Sequence, residues 1–103
     1  MNLSQEDWTN KLALDDNAIV LDVRTQEECA EGIIENAIQN DIFAGQDFIY
    51  RLEELDKFKN YYVYCKAGSR SFQACAIMQQ LGFETTYNID GGFSNWQGEV
   101  VLP

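Results

Sequence analysis

The sequence predicts an α/β domain in which a parallel sheet is wrapped by helices on both faces. Two observations carry that expectation. Short runs dense in apolar and β-forming residues, Ala18–Val23, Tyr61–Cys65 and Thr85–Ile89, alternate with segments whose apolar residues recur at helical spacing. The strand runs, Ala18–Val23 above all, are close to continuous apolar rather than alternating, which suits strands covered on both faces of a parallel sheet.

Each element follows from its own residues. Ser4 and Asp7 stand in a capping arrangement and Trp8, Leu12 and Ala13 recur at helical spacing, which predicts a short helix over residues 5–13. The run Ala18-Ile-Val-Leu-Asp-Val23 is a strand. Thr25 is placed as the N-cap of a helix through Glu31 and Gly32 as its C-cap, after which Ile33–Ile38 supplies a brief second strand. Phe48, Ile49, Leu52 and Leu55 keep the helical period across Gln46–Phe58. Tyr61-Tyr-Val-Tyr-Cys65 is the next strand, and it ends abruptly at Lys66-Ala-Gly-Ser. From Ser69 or Arg70 to Leu81, Phe72, Ala76, Ile77 and Leu81 mark an apolar helical stripe, with Gly82 at the C′ position. Thr85–Ile89 is the last strand, Asp90-Gly91-Gly92 turns the chain, and Phe93 with Trp96 packs a short terminal helix. With no repeat, low-complexity stretch or linker, residues 1–103 are read as one domain.

Composition removes whole classes of mechanism. The 103 residues hold 7 Lys+Arg, 17 Asp+Glu and no histidine, a formal net charge of −10, with 46% apolar residues. Every mechanism with an imidazole base is excluded, and so is every metal site built on histidine. The acidic balance argues against nucleic acid and against an anionic membrane surface as partners, because both need a surplus of cations on one face. Small molecules and basic proteins remain. The N-terminus lacks a basic region followed by an apolar one, and no stretch approaches about 18 consecutive apolar residues, so a cytoplasmic protein is expected. Cys29, Cys65 and Cys75 are odd in number and contain no Cys-x-x-Cys pair, which disfavours a disulfide framework and a structural zinc site. Neither a metal nor a cofactor is expected.

One loop concentrates the chemistry. Cys65 stands at the carboxyl end of an apolar strand, where open α/β sheets bind ligands, and Lys66-Ala67-Gly68-Ser69-Arg70-Ser71 leads from it into a helix. The helix start presents unpaired N–H groups and partial positive charge, while Gly68 lets successive amides curl inward as an anion nest. Lys66 and Arg70 add two of the chain's 7 cations there. A fall in thiol pKa from about 8.5 to about 6.5 would raise the thiolate fraction at neutral pH from roughly 3% to roughly 75%, without a histidine. A cysteine on an isolated strand is ordinarily a small buried hydrophobe, and that is the reading for Cys29 and Cys75. Strand, cysteine, glycine-bearing turn, two cations and helix in that order are hard to explain by packing, so Cys65 is read as the nucleophile.

At these residues the sequence resembles the single-domain rhodaneses, a sulfurtransferase family. Cys65-Lys-Ala-Gly-Ser-Arg70 is similar to the family's six-residue active loop, Leu21-Asp-Val-Arg24 followed by Glu27-Glu28 to its N-terminal signature, and Gly91-Gly92-Phe93-Ser-Asn-Trp96 to its C-terminal one. The three come in family order and span nearly the whole chain. The resemblance implies a rhodanese-like three-layer α/β/α fold with a five-stranded parallel sheet. It also implies a ping-pong sulfur transfer: Cys65 takes the outer sulfur of a donor such as thiosulfate as a persulfide and passes it to a thiol, cyanide or an acceptor protein. The amides from Lys66 to Ser71 would bind the anionic sulfur, and Lys66 and Arg70 would attract the anionic donor against the acidic surface. Ser69 and Ser71 can donate to the terminal sulfur or cap the helix; for Ser71 capping is preferred. Asp22 and Arg24 are read as an ion pair holding neighbouring loops, Gly91 and Gly92 as a tight turn, and Trp96 as core. An acceptor protein is expected to present a basic face.

The chain departs from the family where Gly32-Ile33-Ile34-Glu35-Asn36-Ala37 replaces the frequent Gly-His-Ile-Pro-Gly-Ala, where Asp41 stands near a usual proline, and where Cys29 occupies a usually aromatic position. All lie outside the loop. Two other functions compete: a cysteine phosphatase, whose Cys-x5-Arg loop is one residue longer than the interval from Cys65 to Arg70, and a non-catalytic binding module, whose usual sign is a lost loop cysteine.

Overall fold

In the computed structural model, which describes residues 1–103, five strands form one parallel sheet. They are β1 (Asn2–Leu3), β2 (Ala18–Asp22), β3 (Ile38–Gln39), β4 (Asn60–Tyr64) and β5 (Thr85–Ile89), in the spatial order β1-β5-β4-β2-β3. Four α-helices connect them: α1 (Gln5–Ala13), α2 (Gln26–Ala30), α3 (Gln46–Glu53) and α4 (Ser69–Gln80). Short 3₁₀ turns cover Ile42–Ala44 and Phe93–Asn95. No helix is long and apolar enough to cross a membrane.

Strand β4 is central, paired with β2 from Ala18↔Asn60 to Asp22↔Tyr64 and with β5 from Asn60↔Thr85 to Val63↔Asn88. Its alternating side chains feed two cores. Tyr61, Val63 and Cys65 join Leu21, Val23, Phe48, Leu52, Ala74, Cys75 and Met78, so α3 and α4 cover that face. Tyr62 and Tyr64 join Trp8, Val20, Ile34 and Ile89 on the other, under α1. Each full burial of a large apolar side chain contributes about 1.5–3 kcal/mol, so the double coverage of β4 makes it the most firmly held strand. Its tyrosines keep their polar tips satisfied: Tyr61 donates to the Asp56 carbonyl at 2.7 Å, Tyr62 donates to Asp15 Oδ2 at 2.7 Å, and the Tyr64 oxygen accepts from Ile34 N at 3.1 Å. Trp8 packs edge-on to Tyr62 at 5.6 Å and to Trp96 at 5.7 Å between ring centres, which places Trp96 against the core as expected.

Several boundaries differ from the sequence expectation. Strand β1 was not anticipated; it is two residues long and pairs only with β5. Residues Ile33–Ile38 do not form one strand, because Asn36 turns at φ 67° and Ala37 N bonds back to the Ile34 carbonyl at 3.0 Å. Ile33 instead bridges antiparallel to Val101. The helix expected over Gln46–Phe58 stops at Glu53, and Phe58 is exposed. On α4 the buried stripe is Ser71, Ala74, Cys75 and Met78, whereas Phe72 is 55% exposed. The apolar residues of α4 occur on more than one face, and the sheet covers the face that carries Ala74, Cys75 and Met78.

Candidate active site

Cys65 leaves β4 at its carboxyl end and is buried, 1% exposed. The chain then reverses at Gly68, which has φ 109° and serves as N-cap of α4 without a side-chain cap. That left-handed conformation needs glycine. The carbonyls of the loop are tied away from the sulfur, since Phe93 N donates to Cys65 O at 2.8 Å and Ser94 N to Lys66 O at 2.9 Å. The amides are left to face it. Gly68 N donates to Cys65 Sγ at 3.0 Å, and Ser71 Oγ lies 3.3 Å from the same sulfur. Burial alone would push the thiol up, but the Ser71 hydroxyl and the backbone N–H groups of Ser71, Gly68 and Ala67 outweigh it, and the thiol lies below its ordinary value. Ionisation of Cys65 is eased by hydroxyl and amide donors, without an imidazole.

Gly91 and Gly92 do more than turn the chain. Gly92 has φ 60°, and a Cβ there would stand 2.6 Å from Lys66 O and 2.7 Å from Cys65 O. The bare backbone of Gly92 is what lets Phe93 and Ser94 reach the two loop carbonyls. Gly91, at φ 79°, is similarly closed to a side chain by Asn95.

The two loop cations differ. Arg70 is committed to Glu28 of α2, Nη1 to Oε1 at 2.7 Å and Nη2 to Oε2 at 2.9 Å, with its guanidinium 5.3 Å from the Phe43 ring centre. The Arg70 bonds, opposed by partial burial and helped by Thr25, hold the Glu28 carboxyl down at about 2. Glu28 also closes a capping box with Thr25 at the start of α2. Lys66 is exposed and forms no ion pair. Ser69 and Ala67 are exposed, and Ser69 makes no side-chain hydrogen bond. Ser71 corrects the capping expectation: it sits in the first turn of α4, fully buried, with its hydroxyl toward Cys65 Sγ, Gly68 O and Asn88 Oδ1.

Asp22 and Arg24 form a buried bidentate pair at the end of β2, with Nη2–Oδ2 at 2.8 Å. Arg24 also donates to Gly32 O at 2.8 Å and lies 4.2 Å from the Phe93 ring centre, so it joins the β2 end to the segment that clamps the loop. Cys29 is buried and donates its thiol hydrogen to Asp22 Oδ2 at 3.3 Å; burial and that carboxylate push it up to about 12. Burial likewise pushes up Cys75, on the core-facing side of α4. Of the three thiols only Cys65 is shifted toward ionisation. No three of the Cys, Asp and Glu side chains converge as metal ligands would.

Two neighbours of the loop were not foreseen. Glu28 carries a usable signal, the Thr25-x-x-Glu28 pattern, but its bond to Arg70 spans 42 residues. Asn88 carries none, because inside Thr85–Ile89 it reads as one more strand residue.

Comparison with known proteins finds relatives in sequence and in fold. A protein of Bacillus subtilis (strain 168), YtwF, which carries a provisional sulfurtransferase name, is 39% identical over 90 residues, covering 87% of this chain and 84% of that protein. A sulfurtransferase of Allochromatium vinosum is 32% identical over 94 residues, covering 91% and 85%. A crystal structure of a rhodanese-like domain protein from Staphylococcus aureus superposes with a TM-score of 0.84 at 28% identity, over 99% of this chain and 97% of that one. Similarity also extends to longer proteins: a tRNA uridine(34) hydroxylase of Bartonella bacilliformis is 30% identical, but the match covers 37% of it. The model of the rhodanese-like domain matches residues 5–99, and the chain belongs to that family.

Proposed function

We propose that the protein is a sulfurtransferase that moves sulfane sulfur from a small anionic donor such as thiosulfate to a thiol, cyanide or a protein acceptor, through a persulfide on Cys65. The observation that carries this is the cradle around one sulfur: Gly68 N at 3.0 Å and the Ser71 hydroxyl at 3.3 Å, at the junction of a strand end and a helix start. In the first half-reaction the Cys65 thiolate attacks the outer sulfur of the donor. A Cys65–sulfur bond forms, the donor's sulfur–sulfur bond breaks, and sulfite leaves with the bonding pair. In the second, an acceptor thiolate or cyanide attacks the outer persulfide sulfur and Cys65 departs as thiolate. No outside oxidant or reductant is needed. The loop amides stabilise the negative charge that passes between the two sulfurs.

Lys66, exposed and unpaired, draws in the anionic donor, and Arg70 with Glu28 anchors α2 to the loop. The phosphatase alternative fares worse, because four residues rather than five separate Cys65 from Arg70 and both arms of Arg70 already hold a carboxylate. A net charge of −10 favours a basic face on any acceptor protein. Turnover of thiosulfate and cyanide, compared with hydrolysis of p-nitrophenyl phosphate on the same preparation, tests the assignment. Thiocyanate formation is expected; phosphatase activity without it would overturn the proposal.

A further inference from the structure

Beneath the loop, a short polar chain connects Cys65 to the edge strand. Ser71 has one hydroxyl hydrogen and three acceptors around it: Cys65 Sγ at 3.3 Å, Gly68 O at 3.1 Å, and Asn88 Oδ1, which is closer than either. The Asn88 carboxamide is not free to turn its other edge to Ser71. Its Nδ2 donates to Asn2 Oδ1 at 3.0 Å and to Gly68 O at 3.3 Å, and reversal would set Asn88 Oδ1 against the Gly68 carbonyl. The carbonyl of Asn88 is thereby held toward Ser71. Asn88 and Ser71 are both buried, 4% and 0% exposed, so water does not relieve the competition.

We infer that Asn88 is a positioning residue for the reactive thiol: its side-chain carbonyl competes with Cys65 for the single Ser71 hydrogen. With a neutral thiol, the Cys65 S–H donates to Ser71 Oγ and Ser71 donates to Asn88. On ionisation the thiol proton leaves to solvent or to a departing group, and the Ser71 hydrogen swings from Asn88 to the sulfur anion. The hydroxyl proton stays on Ser71 throughout, and Asn88 neither gains nor loses one. Asn88 keeps the hydroxyl oriented within reach of the sulfur and restrains its donation until the sulfur is charged. Gly68 N, by contrast, donates to the sulfur in both states. The charged groups on the neighbouring elements are the N-terminal ammonium of Met1, which donates to Thr86 O at 3.1 Å, Asp22 and Arg24, paired at the end of β2, Glu28 and Arg70, paired across α2 and α4, exposed Lys66, and exposed Asp90 beyond β5. None of them touches Asn88.

The inference depends on the sulfur-transfer proposal only for the use made of the thiol. It is tested by the pH dependence of iodoacetamide alkylation, which needs no sulfur donor, with the modified residue located by mass spectrometry. Asn88→Ala releases the hydroxyl to the sulfur and is expected to lower the alkylation midpoint, raising the thiolate-to-thiol ratio at a fixed pH below it about threefold or more. Asn88→Asp offers a stronger acceptor and is expected to lower that ratio about tenfold or more. In a Ser71→Ala background both shifts shrink, to less than half for Asn88→Asp, whose residual charge still acts at a distance. A merely structural role would move both variants in the same direction, and that result overturns the inference. Equal Asn88→Asp shifts with and without the Ser71 hydroxyl also overturn it, and this comparison decides the matter if Asn88→Ala does not fold. Failure of thiosulfate turnover with the alkylation pattern intact would count against the proposed function and leave the inference standing.

Discussion

Arg70 and Glu28 face each other across the mouth of the Cys65 loop with two parallel bonds of 2.7 and 2.9 Å, joining the first turn of α4 to the first turn of α2. The Glu28 carboxyl is held at about 2, below its ordinary 4.5, so the pair contributes stability fully above about 4.5 and loses it as pH falls toward about 2. Glu28→Gln keeps a side chain able to close the capping box but removes the charge. The expected deficit is roughly 0.5–1 kcal/mol at neutral pH, small because the pair is partly exposed. Denaturant midpoints measured as the solution is acidified should converge for the two proteins toward the bottom of that window. A gap that persists unchanged there would contradict the assignment.

The Asp22–Arg24 pair is fully buried and should behave differently. Asp22→Asn leaves the Arg24 guanidinium without its counter-charge inside the fold, and removing one partner of a buried pair costs about 3 kcal/mol or more. Urea unfolding is the measurement, and a loss below about 1 kcal/mol would show that Arg24 is held by its contacts with Gly32 O and Phe93 alone.

Gly92→Ala tests the clamp on the loop carbonyls. The new Cβ meets Cys65 O and Lys66 O at a φ of 60°, so both strain and the loss of the Phe93 and Ser94 bonds are expected, together costing about 2 kcal/mol. Thermal unfolding reports the stability. Slower alkylation of Cys65 at neutral pH reports the loosened cradle, and unchanged alkylation would mean that the clamp does not orient the loop amides.

Lys66 is the one loop cation without a carboxylate partner. Lys66→Glu is expected to raise the KM for thiosulfate about threefold to tenfold with little change in kcat, an effect that fades with added salt, while stability stays within about 0.5 kcal/mol. A fall in kcat at constant KM would place Lys66 in the transition state instead.

These residues show what sequence patterning reveals and what it hides. Helix α1, strand β5 and the Gly82 end of α4 follow from local rules, caps and periodicity, and they stand where those rules put them. The Cys65 loop was legible for the same reason: strand end, glycine and helix start are consecutive in the chain. What was hidden depends on tertiary contact. Phe72 and Met78 are equally apolar, and only packing against the sheet decides that Met78 is buried and Phe72 exposed. Ser71 looks like a cap until the fold brings Asn88 beneath it. Strand β1 has two residues and too little pattern to register, yet its Asn2 anchors the carboxamide of Asn88.

In the proposed mechanism Cys65, and neither of the other thiols, carries transferable sulfur. Its most direct test is intact-protein mass spectrometry after incubation with thiosulfate, on the wild type and on Cys65→Ser, Cys29→Ser and Cys75→Ser. The wild type, Cys29→Ser and Cys75→Ser should each gain one sulfur atom, and Cys65→Ser none. Equal sulfur uptake by Cys65→Ser would contradict the claim.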